Sequence, residues 1–243
     1  MMMQKQQDKL QADEATLMTE WRTCWQEKHA EYPYFNEDGI VDYERWITLP
    51  DGKRILVVLK ETNGLQGSLV EFLRHNGNGK TWNNVVRWAK MALDGVYLEK
   101  IPQNEFQDII RSIAVMNLKK YAGGTRANAK EIERVAHQDA DLLRQQIELY
   151  EPDILLTGGW GLTSNVLHDT ICEDTTPWTK PNDQTNLWYY ETDTIANAKH
   201  HRTLVVSMPH PKPQCKKLDA GAGKSFAHHR PTLTKNTRNA GIP

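Results

Sequence analysis

The feature that most constrains the fold is a set of four short apolar runs, separated by long stretches of amphipathic sequence. The runs lie at residues 55–59, 113–117, 153–157 and 203–207. Their apolar residues are consecutive, which is typical of strands whose sheet is covered on both faces. Because helical patterns separate the runs, they predict βαβ units and therefore parallel strands. We expect a three-layer α/β/α protein with a central parallel sheet of four strands.

Periodicity and turn signals predict the remaining secondary structure. Amphipathic periodicity predicts helices over 8–30, 67–75, 82–94, 104–111 and 128–150, and a further helix that ends near 169. The turn Pro50-Asp51-Gly52 predicts a hairpin with arms at 45–49 and 53–59. Residues 187–191 are expected to form an edge strand.

Length and composition predict a single domain. The chain has 243 residues, of which 39% are hydrophobic and 25% charged, as in globular proteins with one sizeable core. We expect an N-terminal helical extension with the first hairpin arm over 1–50, an α/β core over 51–215 and a basic tail over 216–243.

Several patterns bear on the cellular compartment and on metals. No apolar run approaches the ~20 residues of a membrane-spanning helix, and the first residues lack the apolar stretch of a secretory signal. The three cysteines, Cys24, Cys172 and Cys215, are widely spaced, which is typical of reduced thiols. These features predict a cytoplasmic protein without a membrane partner. The histidines show no metal-binding spacing such as HExxH, so we expect no metal site.

Charge is distributed unevenly along the chain. The formal net charge is −1, but residues 199–243 contain nine Lys and Arg against one acid, Asp219, which gives about +8 locally. A basic segment of this kind is typical of proteins that bind phosphate backbones. A solvated tail without a partner is the alternative, and the sequence favours neither.

Polar residues or a glycine pair follow the end of each of the four predicted strands. The four segments are Lys60-Glu61-Thr62-Asn63-Gly64, Asn117-Leu118-Lys119-Lys120, Gly158-Gly159-Trp160 and His210-Pro211-Lys212-Pro213. Ligands of open α/β sheets bind beyond the carboxyl ends of the strands. We therefore expect an acid, an amide, a glycine pair and a histidine to meet at one edge of the sheet.

Three of these side chains have chemistry suited to a reaction. A carboxylate such as Glu61 can orient or deprotonate a water, and the alternative is a helix N-cap or a structural ion pair with Lys60 or Lys119. The carboxamide of Asn117 complements a nucleobase edge with a C=O and an N–H, and a turn-forming asparagine is the alternative. His210 lies between two prolines, which stiffen its loop. It could donate a hydrogen bond to a negatively charged leaving group, and a purely structural histidine is the alternative.

Two segments are similar to the end of a phosphate-binding loop, Asn78-Gly79-Lys80-Thr81 and Ala222-Gly223-Lys224-Ser225. The full motif also requires a glycine five positions before the glycine of the Gly-Lys pair. Arg74 and Leu218 occupy those positions, and neither segment directly follows an apolar run. The sequence therefore predicts no nucleoside-triphosphatase site.

Four segments over residues 54–214 resemble, in the same order, those of the uracil-DNA glycosylase superfamily. RILVVLKETNG is similar to the family's first motif in its Gly-Glu-Ala-Pro-Gly form, with Glu61 at the glutamate position. IAVMNLKKY is similar to the segment with the base-binding asparagine, here Asn117. DADLLRQQIELYEPDILLTGG, residues 139–159, is similar to the helix, strand and glycine turn that follow. VVSMPHPKP is similar to the final His-Pro motif, with His210.

This resemblance implies a glycosylase of base-excision DNA repair with the fold of that superfamily, which hydrolyses the N-glycosidic bond of uracil or another damaged base. The base would leave the stack, because the scissile bond is inaccessible within a duplex. The resemblance implies that Asn117 binds the base edge, that His210 stabilises the departing base and that Glu61 holds the water. It also implies substrate binding by Lys60, Asn63, Gly158 and Gly159, and phosphate contacts by Lys212, Lys216 and Lys217.

Departures from the family pattern narrow these expectations. The cysteines that bind an iron–sulfur cluster in the Gly-Glu-Ala-Pro-Gly branch are absent, so no cofactor is implied. Lys60 and Asn63 replace a Gly and a Pro, and Lys212 stands where Ser or Ala is usual. The expected partner is DNA, single-stranded or with a flipped base. Two alternatives stay open, namely a non-catalytic nucleic-acid- or nucleotide-binding protein of the same fold, and an N-glycosidase that acts on a nucleoside or an RNA base.

Overall fold

The computed structural model describes residues 2–77, 79–95, 98–124, 126–159, 161–180, 187–193 and 202–209. Several predicted site residues lie outside this part of the chain, namely His210, Lys212, Lys216 and Lys217. The predicted basic tail over 216–243 lies outside it as well. Within the described part, no helix combines the length and the apolar character needed to cross a membrane.

A five-stranded sheet forms the centre of the molecule. Its strands are β1 (Ile55–Leu59), β2 (Ile113–Asn117), β3 (Ile154–Gly158), β4 (Trp188–Thr192) and β5 (Thr203–Met208). They lie in the order β2-β1-β3-β5-β4. Neighbours among β2, β1, β3 and β5 are parallel, whereas β4 pairs antiparallel with β5 at the edge. The α/β class is confirmed, but the sheet is mixed and five-stranded rather than parallel and four-stranded.

The apolar runs form strands because both faces of the sheet are covered. In β1, Ile55 and Val57 belong to the core on one face, and Leu56 and Val58 to the core on the other. Every residue of β1, β2, β3 and β5 is buried. Removing apolar surface from water stabilises the fold by roughly 25 cal/mol per Å², so these strands hold the layers together.

Helices contribute to both cores. On one face lie α3 (Leu69–Asn76), α4 (Lys80–Asp94) and α5 (Gln103–Arg111). On the other face lie α1 (Met2–Lys28), α2 (Tyr43–Thr48), α6 (Ala129–Gln138), α7 (Ala140–Tyr150), α8 (Leu162–Asn165) and a π-helical segment, Val166–Ile171. The N-terminal extension is therefore part of the core, since Leu17, Met18 and Trp21 of α1 are buried in it.

The segment predicted as the first hairpin arm, 45–49, is largely helical, so the hairpin prediction is wrong. The Asp42 side chain caps α2 by accepting a hydrogen bond from the Arg45 N–H at 3.2 Å. Trp46 is only 1% exposed. Because a six-residue helix is marginal alone, this cap and the burial of one large side chain stabilise it.

The helix predicted over 128–150 is two helices that meet at Asp139, which ends α6 and begins α7. The Asp139 carboxylate accepts a hydrogen bond from the Trp21 indole N–H at 3.0 Å and lies 3.8 Å from Lys28 Nζ. Both partners belong to α1. The break is therefore fixed by contacts distant in sequence, which local periodicity does not show.

Candidate functional site

A cavity of about 520 Å³ lies at the carboxyl ends of the central strands. Its walls combine the loop after β1, residues of α3, the first turn of α4 and the last residues of β2 and β3. Leu59 pairs with Asn117, so β1 and β2 end at the same level of the sheet. Ligands of open α/β sheets bind at this edge, and the volume is within the range of small-molecule sites.

The cavity brings together most of the predicted site residues that the structure describes. Five of them line it, namely Lys60, Glu61, Asn63, Asn117 and Gly158. Gly159 is not among the lining residues, and its N–H donates a hydrogen bond to the Met208 carbonyl at 3.0 Å. His210 follows β5 in the sequence, outside the described residues.

Asn117 is the most deeply buried polar side chain of the cavity lining, at 1% exposure. Strand alternation places it on the face of Ile113 and Val115, which is covered by α3 and α4. Its Nδ2 has no hydrogen-bond partner among the described residues. A buried donor without a partner costs roughly 1–3 kcal/mol. An amide kept in this state at a cavity wall is suited to bind a ligand.

A buried ion pair holds the main chain of Asn117. The Asp38 carboxylate accepts a hydrogen bond from the Asn117 N–H at 2.6 Å and lies 2.6 Å from Lys120 Nζ. Both charged side chains are at most 1% exposed. Burial lowers the pKa of Lys120, and the neighbouring Asp38 carboxylate opposes that change. Gln146 of α7 completes the contact by accepting from Lys120 at 2.8 Å and donating to Asp38 at 3.0 Å.

The polar network continues into α1. Gln146 donates a hydrogen bond to the Tyr150 hydroxyl at 2.9 Å, and Tyr150 donates to Glu14 Oε1. Glu14 Oε1 also accepts from the Ile40 N–H at 3.3 Å. Burial raises the pKa of Glu14 from its ordinary value of 4.5 to about 7, against the opposing hydrogen bond from Tyr150. The network therefore contains an acid that titrates near neutral pH.

Glu61 lines the cavity, and its carboxylate forms a buried ion pair. Lys119 Nζ lies 2.5 Å from Glu61 Oε2, and the two side chains are 1% and 6% exposed. Gly123 makes room for this pair, because a Cβ at that position would overlap the Glu61 carboxylate. Burial raises the pKa of Glu61, while Lys119 lowers it. Of the two structural partners considered from the sequence, the structure selects Lys119 over Lys60.

Lys119 connects Glu61 to a second carboxylate and to two tyrosines. Its Nζ lies 3.2 Å from Glu131 Oε1 and 4.3 Å from the centre of the Tyr121 ring. The hydroxyls of Tyr32 and Tyr121 each donate to Glu131 Oε1 at 3.2 Å. Burial would raise the pKa of Glu131, but Lys119 and these hydroxyls lower it overall. This cluster was not predicted from the sequence. The sequence feature that points to it is the position of Lys119, two residues after the end of β2.

A buried asparagine fixes the loop after β1. Asn36 is fully buried, and its Nδ2 donates to the carbonyls of Leu65 and Gly67 at 2.9 and 3.0 Å. Its Oδ1 accepts a hydrogen bond from the Thr62 hydroxyl at 2.6 Å. Three hydrogen bonds to the Asn36 side chain therefore anchor the cavity wall that carries Lys60 and Asn63.

Two aromatic side chains line the cavity as well, Phe72 of α3 and Trp82 of α4. Neither was predicted as a site residue, because helical periodicity alone predicts both as core residues. Trp82 is 8% exposed, and Phe72 is partly buried against the same core. An aromatic wall beside a buried amide can hold a flat, polar-edged ligand by stacking and hydrogen bonding.

The arrangement therefore offers a polar amide, aromatic walls, two lysines and a paired carboxylate around one cavity. Among the residues that the structure describes, no group of three His, Cys, Asp or Glu side chains is placed to hold a metal ion. In comparisons with known proteins, the chain matches no family model and no curated protein.

Proposed function

We propose that this chain is a DNA glycosylase-like protein of the uracil-DNA glycosylase superfamily, which hydrolyses the N-glycosidic bond of uracil or another damaged base in DNA. The observation that carries the proposal is the unpartnered, 1% exposed amide of Asn117 at the wall of a cavity large enough for a nucleotide. Uracil presents a C=O and an adjacent N–H along one edge, and a carboxamide can pair with both.

The cavity lining supports binding of a flipped base. Asn117 would pair with the base edge, while Phe72 and Trp82 supply aromatic surface for the base to contact. Base–aromatic stacking contributes roughly 1–3 kcal/mol per base in single-strand binding. Lys60, Asn63 and Gly158 complete the lining around the proposed base.

Glu61 is the proposed electrostatic partner of the reacting sugar. Burial raises the pKa of Glu61 overall, and the Lys119 ammonium at 2.5 Å opposes part of that rise. An ionised carboxylate can accept a hydrogen bond from the attacking water and stabilise positive charge on the sugar in the transition state. The water oxygen bonds to the sugar carbon as the bond between that carbon and the base nitrogen breaks, the base leaves with the bonding electron pair, and the proton lost by the water passes to Glu61 and on to the departing base or solvent.

His210 and the lysines at 212, 216 and 217 remain proposals from the sequence. His210 would donate to the departing base, and the lysines would contact DNA phosphates. β5 ends at Met208, which pairs with the cavity residue Gly158. His210 follows Met208 by two residues in the sequence.

Asn117→Ala tests the proposal. Excision of uracil from single-stranded DNA should be measurable for the wild-type chain, and it should fall by roughly a hundredfold or more in the variant, by analogy with deleted transition-state donors. Asn104→Ala is the matched control, since Asn104 is exposed on α5 away from the cavity lining. Absence of excision of uracil or any deaminated base by the wild-type chain would contradict the proposal.

One observation favours a second candidate, a non-catalytic protein that binds nucleotides or nucleic acid. The carboxylate of Glu61 is already paired with Lys119, as expected for a structural role. Glu61→Gln separates the two functions because it keeps the shape of the side chain and removes its charge. A glycosylase should lose rate while its DNA affinity holds or rises, whereas a binding protein should show no excision before or after the change.

A further inference from the structure

The first turn of α4 forms part of the cavity wall. Four consecutive residues line the cavity there, Gly79, Lys80, Thr81 and Trp82. The helix continues for 15 residues, and its N-cap residue Gly79 provides no side-chain hydrogen bond to the free N–H groups. The N-terminus of a helix has unsatisfied N–H donors and a partial positive charge, so it favours an anion.

Gly79 gives this turn a backbone conformation that other residues rarely adopt. Its φ is +117°, and a Cβ at this position would meet no atom within 4 Å. The requirement for glycine is therefore conformational rather than steric. The chain can approach a ligand closely at this point, as it does in glycine-rich phosphate sites.

Two lysines add positive charge to the same wall. Lys60 follows β1 and Lys80 begins α4, and both line the cavity. The ion pairs described at this end of the sheet involve Lys119 and Lys120 and neither of these two. Among the described residues that line the cavity, the one acid is Glu61, which is paired with Lys119. The cavity therefore has an excess of positive charge.

A second observation points independently to a ligand. Asn117 Nδ2, in a side chain only 1% exposed, lies at the cavity wall without a partner among the described residues. Its strand face is the one that α4 covers. The cavity thus has a polar group suited to a base and, on another wall, a helix N-terminus with two lysines suited to a phosphate.

We propose that the first turn of α4, with Lys60 and Lys80, is a phosphate subsite, so that the cavity takes a nucleotide with its phosphate at α4 and its base at Asn117. The assignment of the base rests on the proposed function, whereas the phosphate subsite stands on α4 and the lysines. The Gly-Lys-Thr sequence of this turn follows α3 rather than a strand, and the glycine of the full triphosphate motif is absent. The proposed subsite therefore differs from a triphosphate-binding loop.

Lys80→Glu in the full-length chain tests the subsite. The substitution reverses one charge at the cavity, and it should not harm folding, because a negative residue is favourable in the first turn of a helix. Lys130→Glu is the matched control, since Lys130 is exposed in the first turn of α6, where the Asn128 side chain accepts from the Glu131 N–H. Lys80→Ala provides a second variant without charge reversal.

Binding of inorganic phosphate, deoxyuridine and deoxyuridine monophosphate would be measured by calorimetry at low salt. The wild-type chain should bind phosphate, and it should bind the monophosphate roughly tenfold or more tightly than the nucleoside. Lys80→Glu should abolish both effects, Lys80→Ala should weaken them, and Lys130→Glu should keep them. Equal affinity for nucleoside and monophosphate, or phosphate binding that survives Lys80→Glu, would overturn the subsite.

The two proposals fail in different ways. Binding of deoxyuridine that depends on Asn117, with no gain from the phosphate, would remove the subsite and leave the glycosylase proposal in place. Phosphate binding that depends on Lys80, without excision of any base from DNA, would support the subsite and remove the glycosylase proposal.

Discussion

Two buried amides near the carboxyl end of β2 have opposite environments. Gln146 is fully buried and exchanges hydrogen bonds with Lys120, Asp38 and Tyr150. Asn117 is 1% exposed, and its Nδ2 has no partner in the described part of the chain. Gln146 lies in α7, on the face of the sheet that α1 and α7 cover, whereas Asn117 lies on the opposite face and lines the cavity.

The difference separates groups that stabilise the fold from groups suited to a ligand. Burying a polar group is unfavourable, and hydrogen bonds offset that cost only where partners are present. The network around Gln146 offsets it within the protein. At Asn117 a ligand would supply the hydrogen bonds that offset the cost of burial. Substitutions of Gln146 and of Asn117 should therefore differ in their effects on stability and on binding.

The largest effect should come from breaking the ion pair between Asp38 and Lys120. Asp38→Ala leaves a fully buried ammonium without its carboxylate and removes the acceptor of the Asn117 N–H. We expect a loss of about 3–5 kcal/mol in the free energy of unfolding, measured by urea denaturation. Asp13→Ala is the control, because its pair with Lys9 is exposed and should contribute about 0–1 kcal/mol. A loss below 1 kcal/mol in Asp38→Ala would contradict the structural role of the pair.

A pH effect of intermediate size is expected from Glu14. Its pKa in the folded protein, about 7, exceeds its ordinary value of 4.5, so the folded state binds more protons between these values. The contribution of Glu14 to stability is therefore fully present below pH 4.5 and is lost as the pH rises towards 7. The loss is on the order of 3 kcal/mol, from about 1.4 kcal/mol per pKa unit.

Glu14→Gln checks this pH dependence. The variant has no charge to bury, so its free energy of unfolding should vary less between pH 5 and pH 8 than that of the wild-type chain. Glu20→Gln is the control on the same helix, since Glu20 is exposed. An unchanged pH profile in Glu14→Gln would mean that another group dominates this range.

The strands and the position of the site were predictable because they follow from local pattern and topology. Consecutive apolar residues occur where both faces of a strand are buried, as in Ile55–Leu59. Parallel strands present their carboxyl ends at one edge, which brings Lys60, Glu61 and Asn117 to the same cavity.

The surroundings of the site were not predictable, because they depend on contacts distant in sequence. Lysine is rarely buried, yet Lys119 and Lys120 are each 1% exposed. Asp38, the partner of Lys120, lies 82 residues earlier. The first turn of α4 reaches the cavity only through packing of α3 and α4 on the sheet. In α2, likewise, a tertiary contact of Trp46 outweighs local strand-like signals.

The smallest effect on stability should come from Asn117→Ala, which sharpens the comparison of the two amides. The variant removes a donor that has no partner, and the lost volume opens into an existing cavity instead of creating a closed void. We expect the free energy of unfolding to fall by less than about 1 kcal/mol or to rise, because the variant removes the cost of a buried donor without a partner and breaks no satisfied side-chain hydrogen bond of Nδ2. Gln146→Ala is the matched control, and it should cost about 1–3 kcal/mol or more, since it leaves Asp38, Lys120 and Tyr150 each without one partner.

Urea denaturation of both variants under the same conditions provides the measurement. If Asn117→Ala is as destabilising as Gln146→Ala, its amide contributes to the fold and the argument for a ligand at this position fails. A small change in stability together with lost binding of deoxyuridine would identify Asn117 as a residue kept for the ligand.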